Sequence, residues 1–563
     1  MLIEKEFTFF SRHSESYEEI YTDNRISAIL KTALHRDLSE GSDNTDSEDQ
    51  REFANYGGES QSTLLTGRDF PYTKFDSYLY SDSAVREDKW ESAAHAELRY
   101  LNQNADILQP EKKGLSPLNF LITGNYTGEH LAALAEVGDT TLEESTNTID
   151  YLTRRGGKAS VSVKNVTLNG FGVMGQEAGY EIDGLGLGFN SNDHIMGGSA
   201  RFDFFDNQMS LKAIYATGGD DGNYLGTWSE TDGRKGDVTG LLWITDFFDQ
   251  KLMSEIEVDT ANYDYDTSDE EEKVSDKAYR IRISGLQTIY DYEVGYKYTG
   301  PQYDVVGNQS IVKDWEGFNF IGGMTFTEHA LRLLLDYSWN NVEDDDYLPR
   351  ITSFTGGLDY QYSGWELFPV SVLFEHNQQN SEDEPENSDQ TNLDTNTLTG
   401  TVGFFQGSWA AEIRSSYSEQ NDKTVYDYDT QLFTLSLIPS YSGSYFSILP
   451  SWTLNSSKDL SSGVRTDINT LTLDLYSSFL QDTVVGEIGG TYDWSETDDD
   501  SIDLNNTSFY ARLSYRLNQT NRLEDTTLAF EYIYNRLEDN VYDSTIYEGV
   551  LSLVISTAIP YSY

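Results

Sequence analysis

Cysteine is absent from the 563 residues, which excludes disulfides, thiolate chemistry, covalent haem attachment and cysteine-zinc sites together. Positive charge is also scarce. Lys and Arg number 38 against 95 Asp and Glu, a net charge of −57, and phosphate repulsion on that scale excludes nucleic acid as a partner. No run approaches the ~18 apolar residues that a membrane-spanning helix needs. The opening Met1-Leu2-Ile3-Glu4-Lys5-Glu6 has no basic segment leading into an apolar one, so it is not a secretory signal. Catalytic signatures are missing as well. His13, His35, His95, His130, His194, His329 and His376 are scattered, with no H-E-x-x-H and no G-x-S-x-G among them, so the chain reads as a non-enzyme.

What is present is alternation. Leu331, Leu333, Leu335, Tyr337 and Trp339 recur every second residue, with Arg332, Leu334, Asp336 and Ser338 between them. After an acidic break the pattern resumes with Phe354, Leu358, Tyr360 and Tyr362 against Thr355, Asp359 and Gln361. Ser363-Gly364 then reads as a tight turn into a row of Phe368, Val370, Val372 and Phe374. Period two places each set on one face of a strand. One hairpin of this kind also suits a soluble sandwich, but the pattern repeats from His194 onward. Only 37% of residues are hydrophobic, yet Tyr reaches 39 against 27 Phe, and rings with one wet end suit a membrane–water boundary. Barrel strands span with ~9–11 alternating residues, so low mean hydropathy is compatible with a membrane.

The connections alternate in length. Asp206-Asn207, Phe248 to Lys251, Ser363-Gly364, Gln406-Gly407, Tyr441 to Ser444 and Gln481-Asp482 are short. Gly218 to Lys235, Tyr263 to Ser275, Asn377 to Asp394, Asn455 to Arg465 and Ser495 to Asn505 are long and hold most acidic clusters. The last strand, Gly549 to Ile559, is expected to follow a long loop. This is the plan of an outer-membrane barrel. The expected fold is all-β: a transmembrane up-and-down antiparallel β-barrel of about 20–26 strands, with short periplasmic turns and long acidic outer loops. Residues 156–563 form the main barrel. Residues 1–155 mix strand candidates (around Phe7 and Phe9, Tyr72 to Tyr80, Ala93 to Leu101, Leu118 to Tyr126) with a long acidic loop, Asp37 to Glu52. Glu129 to Glu144 (HLAALAEV) has helical character. A removed signal, or an origin in the later part of a longer product, is the expectation for the N-terminus.

Two motifs carry less. The Gly-rich Ile182 to Asn190 (DGLGLGFN) has no βαβ setting, so it is not a nucleotide site. Asp264, Asp266, Asp269 and Glu270 are metal candidates by acid count alone, because the Gly and closing Glu of an EF-hand are missing. Divalent cations at the outer acidic loops are the only cofactor this suggests. Alternation places Arg280, Arg282, Glu293, Lys297, Arg332, Asp336, Asp359, Glu412, Arg414, Asp474, Glu487, Arg512 and Glu531 on the inner face as pore-lining residues. The same pattern also describes a cross-strand ladder that only holds the wall together.

By these features the chain resembles a Gram-negative outer-membrane β-barrel. The stretch Tyr298-Thr299-Gly300-Pro301-Gln302-Tyr303, with Val306-Gly307-Asn308 and Asp314-x-x-Gly317-Phe318, is similar to a loop of very large barrels in protein translocons and in environmental bacteria. That resemblance implies a large barrel and names no cargo. The expected function is a channel or export pore for a solute or polymer. The alternatives are a sheath around a threaded partner, such as a multihaem electron conduit, and a surface anchor or adhesin. Outer-membrane lipid and lipopolysaccharide are the expected surroundings, with a periplasmic or lumen-threaded protein as a further partner.

Overall fold

The computed structural model describes residues 19–37, 70–103, 114–175, 193–220, 233–267, 273–308, 310–386, 388–517 and 524–560. Among them the chain forms 26 antiparallel strands in one sheet. The first seven are β1 (Glu19–Asp37), β2 (Phe70–Glu87), β3 (Trp90–Gln103), β4 (Gly114–Thr127), β5 (Leu131–Leu142), β6 (Leu152–Val163) and β7 (Val166–Val173). Next come β8 (His194–Phe204), β9 (Met209–Asp220), β10 (Arg234–Phe247), β11 (Leu252–Asp264), β12 (Val274–Leu286), β13 (Tyr290–Thr299) and β14 (Trp315–Phe326). The chain continues with β15 (His329–Asn340), β16 (Arg350–Tyr362), β17 (Val370–Glu382), β18 (Asn392–Gln406), β19 (Trp409–Asp422) and β20 (Thr430–Ser442). It ends with β21 (Phe446–Asp459), β22 (Arg465–Phe479), β23 (Val484–Thr497), β24 (Asp503–Arg516), β25 (Glu524–Asp539) and β26 (Ser544–Pro560). Each strand pairs with the next, and β1 pairs with β26 from Arg25↔Pro560 to Asp37↔Glu548, which closes the sheet.

Ladder register assigns every strand one inner and one outer face. The outer face is apolar and open around the circumference, as at Leu241, Ile281, Leu333, Phe374, Leu473 and Leu551. Two aromatic rows bound this belt. At the short-turn rim, Trp90 meets Tyr126 and Trp409 meets Tyr441, each at 4.8 Å, and His329 meets Tyr362 at 5.0 Å. Nearer the long-loop rim, Tyr296 meets Phe318 at 4.9 Å, Phe318 meets Trp339 at 6.2 Å, and Tyr492 meets Trp494 at 5.4 Å. From His329 to Trp339 the strand rises about 33 Å. A tilt of about 40° reduces that to about 25 Å, the height of the apolar band of an outer-membrane barrel. The fold is a transmembrane β-barrel.

Several segments differ from the sequence expectation. Residues 131–142 are strand β5, not helix. Ala and Leu favour helix, but an isolated helix of this length is marginal. A strand here pairs on both edges, with Ala133↔Tyr126 on one side and Ala133↔Val161 on the other. Ser363-Gly364 opens a connection over 363–369, and Phe368 lies in it rather than in a strand. Its N–H bonds Trp365 O at 2.8 Å, and Pro369 has no N–H to offer a ladder. The long loops are shorter than expected: 383–391, 460–464 and 498–502, with only 540–543 before β26. Polar strand ends continue to pair beyond the apolar belt, as in Gln378↔Asp394 and Asn505↔Glu538, where the hydrophobic period has already faded. The strand around Phe7 and Phe9, most of the Asp37 to Glu52 loop and the whole Ile182 to Asn190 segment lie outside the described residues.

Leu333 is an outer-face residue opposite Leu358, whereas Arg332 is an inner-face residue opposite Asp359. Leu333→Arg is expected to cost about 2–4 kcal/mol of assembled barrel. Arg332→Leu is expected to assemble nearly as well as the parent, as measured by heat-modifiable mobility after folding into vesicles. Equal effects would mean that the faces are exchanged.

Candidate functional site

A circular barrel of 26 strands is about 50 Å across between facing backbones. Its lumen is a polar-lined passage through the membrane, and two segments from the long-loop rim fold into it. The first is the tip of the β5–β6 hairpin. β4 pairs with β5 only between Leu121↔Gly138 and Thr127↔Ala132, and β6 pairs with β7 only from Gly156 onward. Beyond Gly138 and Gly156 the hairpin pairs only with itself, from Asp139↔Arg155 to Leu142↔Leu152. These facing glycines are where the hairpin leaves the wall. Gly138 has φ +125°, and a Cβ there would fall 2.1 Å from Phe120 O. A Cβ on Gly156 would fall 2.3 Å from Gly172 O. Side chains at either position would strike the strands left behind.

Those strands are not left bare. The Arg155 guanidinium, 1% exposed, pairs with Asp139 through Nε at 2.8 Å and donates to Leu118 O at 3.1 Å. Asp139 in turn accepts the Phe120 N–H at 2.9 Å. The two side chains stand in for the backbone ladder that β4 loses along this edge.

The second segment is the β13–β14 connection, residues 300–314. This is the stretch singled out in the sequence by its likeness to a large-barrel loop. Tyr303, Val305 and Val306 bury themselves with Leu142, Ile149 and Leu152 of the hairpin. They lie against inner-face residues Phe171, Val173, Ile195, Ala216, Val238, Ala261 and Ala278. Small residues on the wall are what let the hairpin approach: a Cβ on Gly240 would sit 3.1 Å from Thr148 Cγ2.

Polar contacts fix the position. The Asn147 N–H donates to Glu257 at 3.0 Å and its Nδ2 donates to Asp259 at 3.1 Å. Tyr303 Oη donates to Asn147 O at 2.8 Å, and Asn308 Nδ2 donates to Thr146 O and Thr148 O, each at 3.1 Å. Burial, with the Asp259 and Glu257 carboxylates nearby, holds the Tyr303 phenol well above its usual range, so it remains a donor at any ordinary pH. Lys212 Nζ reaches Glu144 Oε2 at 2.5 Å, and Arg280 pairs with Glu257 at 3.2 Å and also with Glu255. The tip therefore rests on a charged row at mid-height of the wall.

Register places all thirteen sequence-derived candidates on the inner face. Arg280 joins the hairpin site, Arg282 pairs with Glu293 at 2.7 Å, and Lys297 lies opposite Arg280. Arg332 lies opposite Asp359, and Asp336 lies opposite Thr355. Glu412 and Arg414 lie opposite Ile438 and Ser436. Arg512 lies between Glu487 and Glu531, while Asp474 sits opposite Leu449 and Gly489. Of the metal candidates, Asp264 ends β11 and accepts the Asp266 N–H at 3.2 Å, while Asp269 and Glu270 lie outside the described residues. No group of three or more metal-ligating side chains occurs among the described residues. Sequence reasoning missed Asn147, and it singled out the stretch that holds Tyr303 and Asn308 without giving either residue a role. The available signal was apolar Tyr303, Val305 and Val306 in a loop at the rim where other loops are acidic.

The closed sheet, apolar belt and paired girdles are those of a bacterial outer-membrane barrel. No protein-family model matches the chain, and no curated protein matches it. Among solved structures, the translocation pore of the P pilus usher PapC is 8% identical, with a TM-score of 0.35 over 96% of this chain and 100% of that one. The siderophore receptor PirA from Pseudomonas aeruginosa is 8% identical, with a TM-score of 0.37 over 95% of this chain and 80% of that one. OpdK from Pseudomonas aeruginosa, solved with vanillate, is 7% identical, with a TM-score of 0.25 over 96% and 99%. Likeness at this level says nothing about cargo.

Asn147→Ala leaves the Asp259 carboxylate without its amide partner, a loss of about 1–3 kcal/mol for a buried group. Amide exchange over residues 143–150 is expected to accelerate accordingly while the girdle strands stay protected. Tyr303→Phe, which removes one hydrogen bond, is expected to act in the same direction by about 1 kcal/mol. Unchanged exchange in both variants would contradict the docking described.

Proposed function

We propose that the protein is a wide pore for a solute or polymer, narrowed by its own β5–β6 hairpin. The observation that carries this reading is that the hairpin tip pairs with neither neighbouring strand and is held on the lumen wall by side-chain contacts. Barrels of 16–18 strands already leave an aqueous channel. A 26-strand circumference exceeds what a small solute requires, so a bulky or extended cargo fits the reading better. An element held by apolar packing, one ion pair and a few hydrogen bonds, with no backbone ladder to the wall, is a barrier that can yield as a unit, unlike a wall strand held along its whole ladder.

Because the chain has no cysteine, Glu144→Cys with Lys212→Cys can be bridged by a short bifunctional maleimide without background. In planar bilayers the bridged protein is expected to show a low, steady conductance. Glu144→Lys, which sets two cations against each other, is expected to show a larger or flickering one. Equal conductance in both would count against the hairpin as the barrier. No conductance in either would favour the sheath.

Charge gives a second expectation. The thirteen inner-face candidates are six basic and seven acidic residues, so most of the net −57 lies in loops and the N-terminal third, part of it at the long-loop rim in Glu343 to Asp346 and Asp498 to Asp500. Fixed charge at a mouth acts within a Debye length, ~10 Å at 0.1 M salt and ~3 Å at 1 M. Cation preference is therefore expected at low salt and should fade near 1 M salt or with divalent cations, read as a reversal potential under a salt gradient. Anion preference, or selectivity indifferent to salt, would rule out the mouth as its source.

A further inference from the structure

The lumen wall has two unlike halves. Along β9–β13 it is charged and carries the hairpin. Along β16–β22 the inner face is dominated by hydroxyls and amides that bond one another across strands. Thr397 and Ser418 lie 2.8 Å apart, Thr399 and Ser416 2.9 Å, and Ser436 and Thr453 3.1 Å, while Thr434 donates to Asn455 at 2.9 Å. Toward the short-turn rim, β21, β22 and β24 also carry apolar side chains open to the lumen, where a polar surface is the norm. Leu449 and Tyr476 are each 44% exposed and Tyr510 is 41% exposed.

Register gathers them with charged partners. Leu449 is opposite Asp474, Asp474 opposite Gly489, and Gly489 opposite Tyr510. Tyr476 is opposite Glu487, and Glu487 opposite Arg512. Gly489 is required here: a Cβ would fall 2.1 Å from Tyr510 Cε1 and 2.7 Å from Asp474 Oδ1, so only glycine lets the ring lie against the wall beside the carboxylate. Arg512 stands 3.8 Å from Glu487 and 3.6 Å from Glu531, too far for hydrogen bonds, and its buried Nε has no hydrogen-bond partner.

We propose that this patch binds the pyranose rings of a neutral oligo- or polysaccharide, which makes a glycan the cargo class of the proposed pore. The inference rests on the pore reading for its role in transport, and on the patch alone for binding. A pyranose has an apolar C–H face that stacks on an aromatic ring, and hydroxyls at its edge that donate to carboxylates and accept from a guanidinium. Tyr476 and Tyr510 supply the faces, Asp474 and Glu487 the acceptors, and the exposed part of the Arg512 guanidinium the donor. The tyrosines are two strand spacings apart and two residues offset along the strands, about 12 Å in all, so they engage different sugars of one chain. The patch carries Asp474 and Glu487, with Glu531 beside them, against the one arginine, so its net negative charge puts an anionic polymer at a disadvantage to an uncharged one. The hydroxyl-lined wall above offers the same neutral, exchangeable hydrogen bonds along the route.

The test is saturation-transfer NMR on the whole barrel in a non-glycosidic amine-oxide detergent. The probes are neutral oligomers of glucose, galactose and N-acetylglucosamine, with polyethylene glycol of matched mass as control. Ring C–H protons of at least one sugar series should saturate in the parent protein and in Tyr510→Phe. In Tyr476→Ala with Tyr510→Ala the affinity should fall about tenfold, the scale of a lost aromatic contact. Heat-modifiable mobility verifies that the variants fold. No saturation by any series, saturation by polyethylene glycol alone, or saturation unchanged in the double variant would overturn the site. Conductance of the same preparation reports separately on the pore: a conducting barrel that binds no sugar overturns only the cargo class, and a sugar-binding barrel that never conducts overturns only the pore.

Discussion

Everything in this structure depends on the pairing of β1 with β26. Inside a bilayer no water is available to satisfy a free N–H or C=O, so a sheet survives there only if it has no edge. Closure at Arg25↔Pro560 through Asp37↔Glu548 removes the edges at the two ends of the sheet and, with them, the choice of which face meets lipid, while the β4 edge that the hairpin leaves is capped by Arg155 and Asp139. With 26 strands committed, the circumference is set, and the lumen becomes too wide to be filled by wall side chains. The infolded hairpin and the 300–314 loop are consequences of that width.

Legibility in the sequence followed the solvent. Where lipid meets the wall, every second residue must be apolar, and Leu331, Leu333 and Leu335 announce the strand and its orientation without help from the rest of the chain. The same rule assigns Arg332 and Asp359 inward, because a one-residue slip would place them in hydrocarbon. The pattern weakens wherever that solvent changes. Strand ends such as Gln378 and Asn505 pair above the belt, where nothing forces an apolar residue, and so read as loop. Ala132 to Ala135 read as helix because their preference is local, while the partners that override it, Tyr126 and Val161, belong to other strands.

The lumen contacts were illegible for a different reason. Asn147 and Glu257 are separated by 110 residues, and no period in the chain encodes their meeting. What the sequence did contain was an anomaly, apolar Tyr303, Val305 and Val306 at a rim of acids. It signals burial but not the partner. The tyrosines on the opposite wall were likewise visible as residues but not as a patch, since their meaning arises from Gly489, Asp474 and Arg512 on adjacent strands.

Arg155 gives the infolded hairpin a further property. Its guanidinium is fixed to the hairpin through Asp139 yet caps a carbonyl of β4. The capping groups travel with the hairpin, so any movement that draws it toward the lumen axis strips them from the strand it left. A bare carbonyl at Leu118 and a bare amide at Phe120 would then be left on the long-loop side of the wall, at several kcal/mol each where no water replaces their partners. Hairpin position and wall integrity are therefore one thermodynamic variable. The barrel resists internal displacement with a restoring force generated at its lipid-facing surface, and the composition of the surrounding membrane becomes a term in the energetics of its interior.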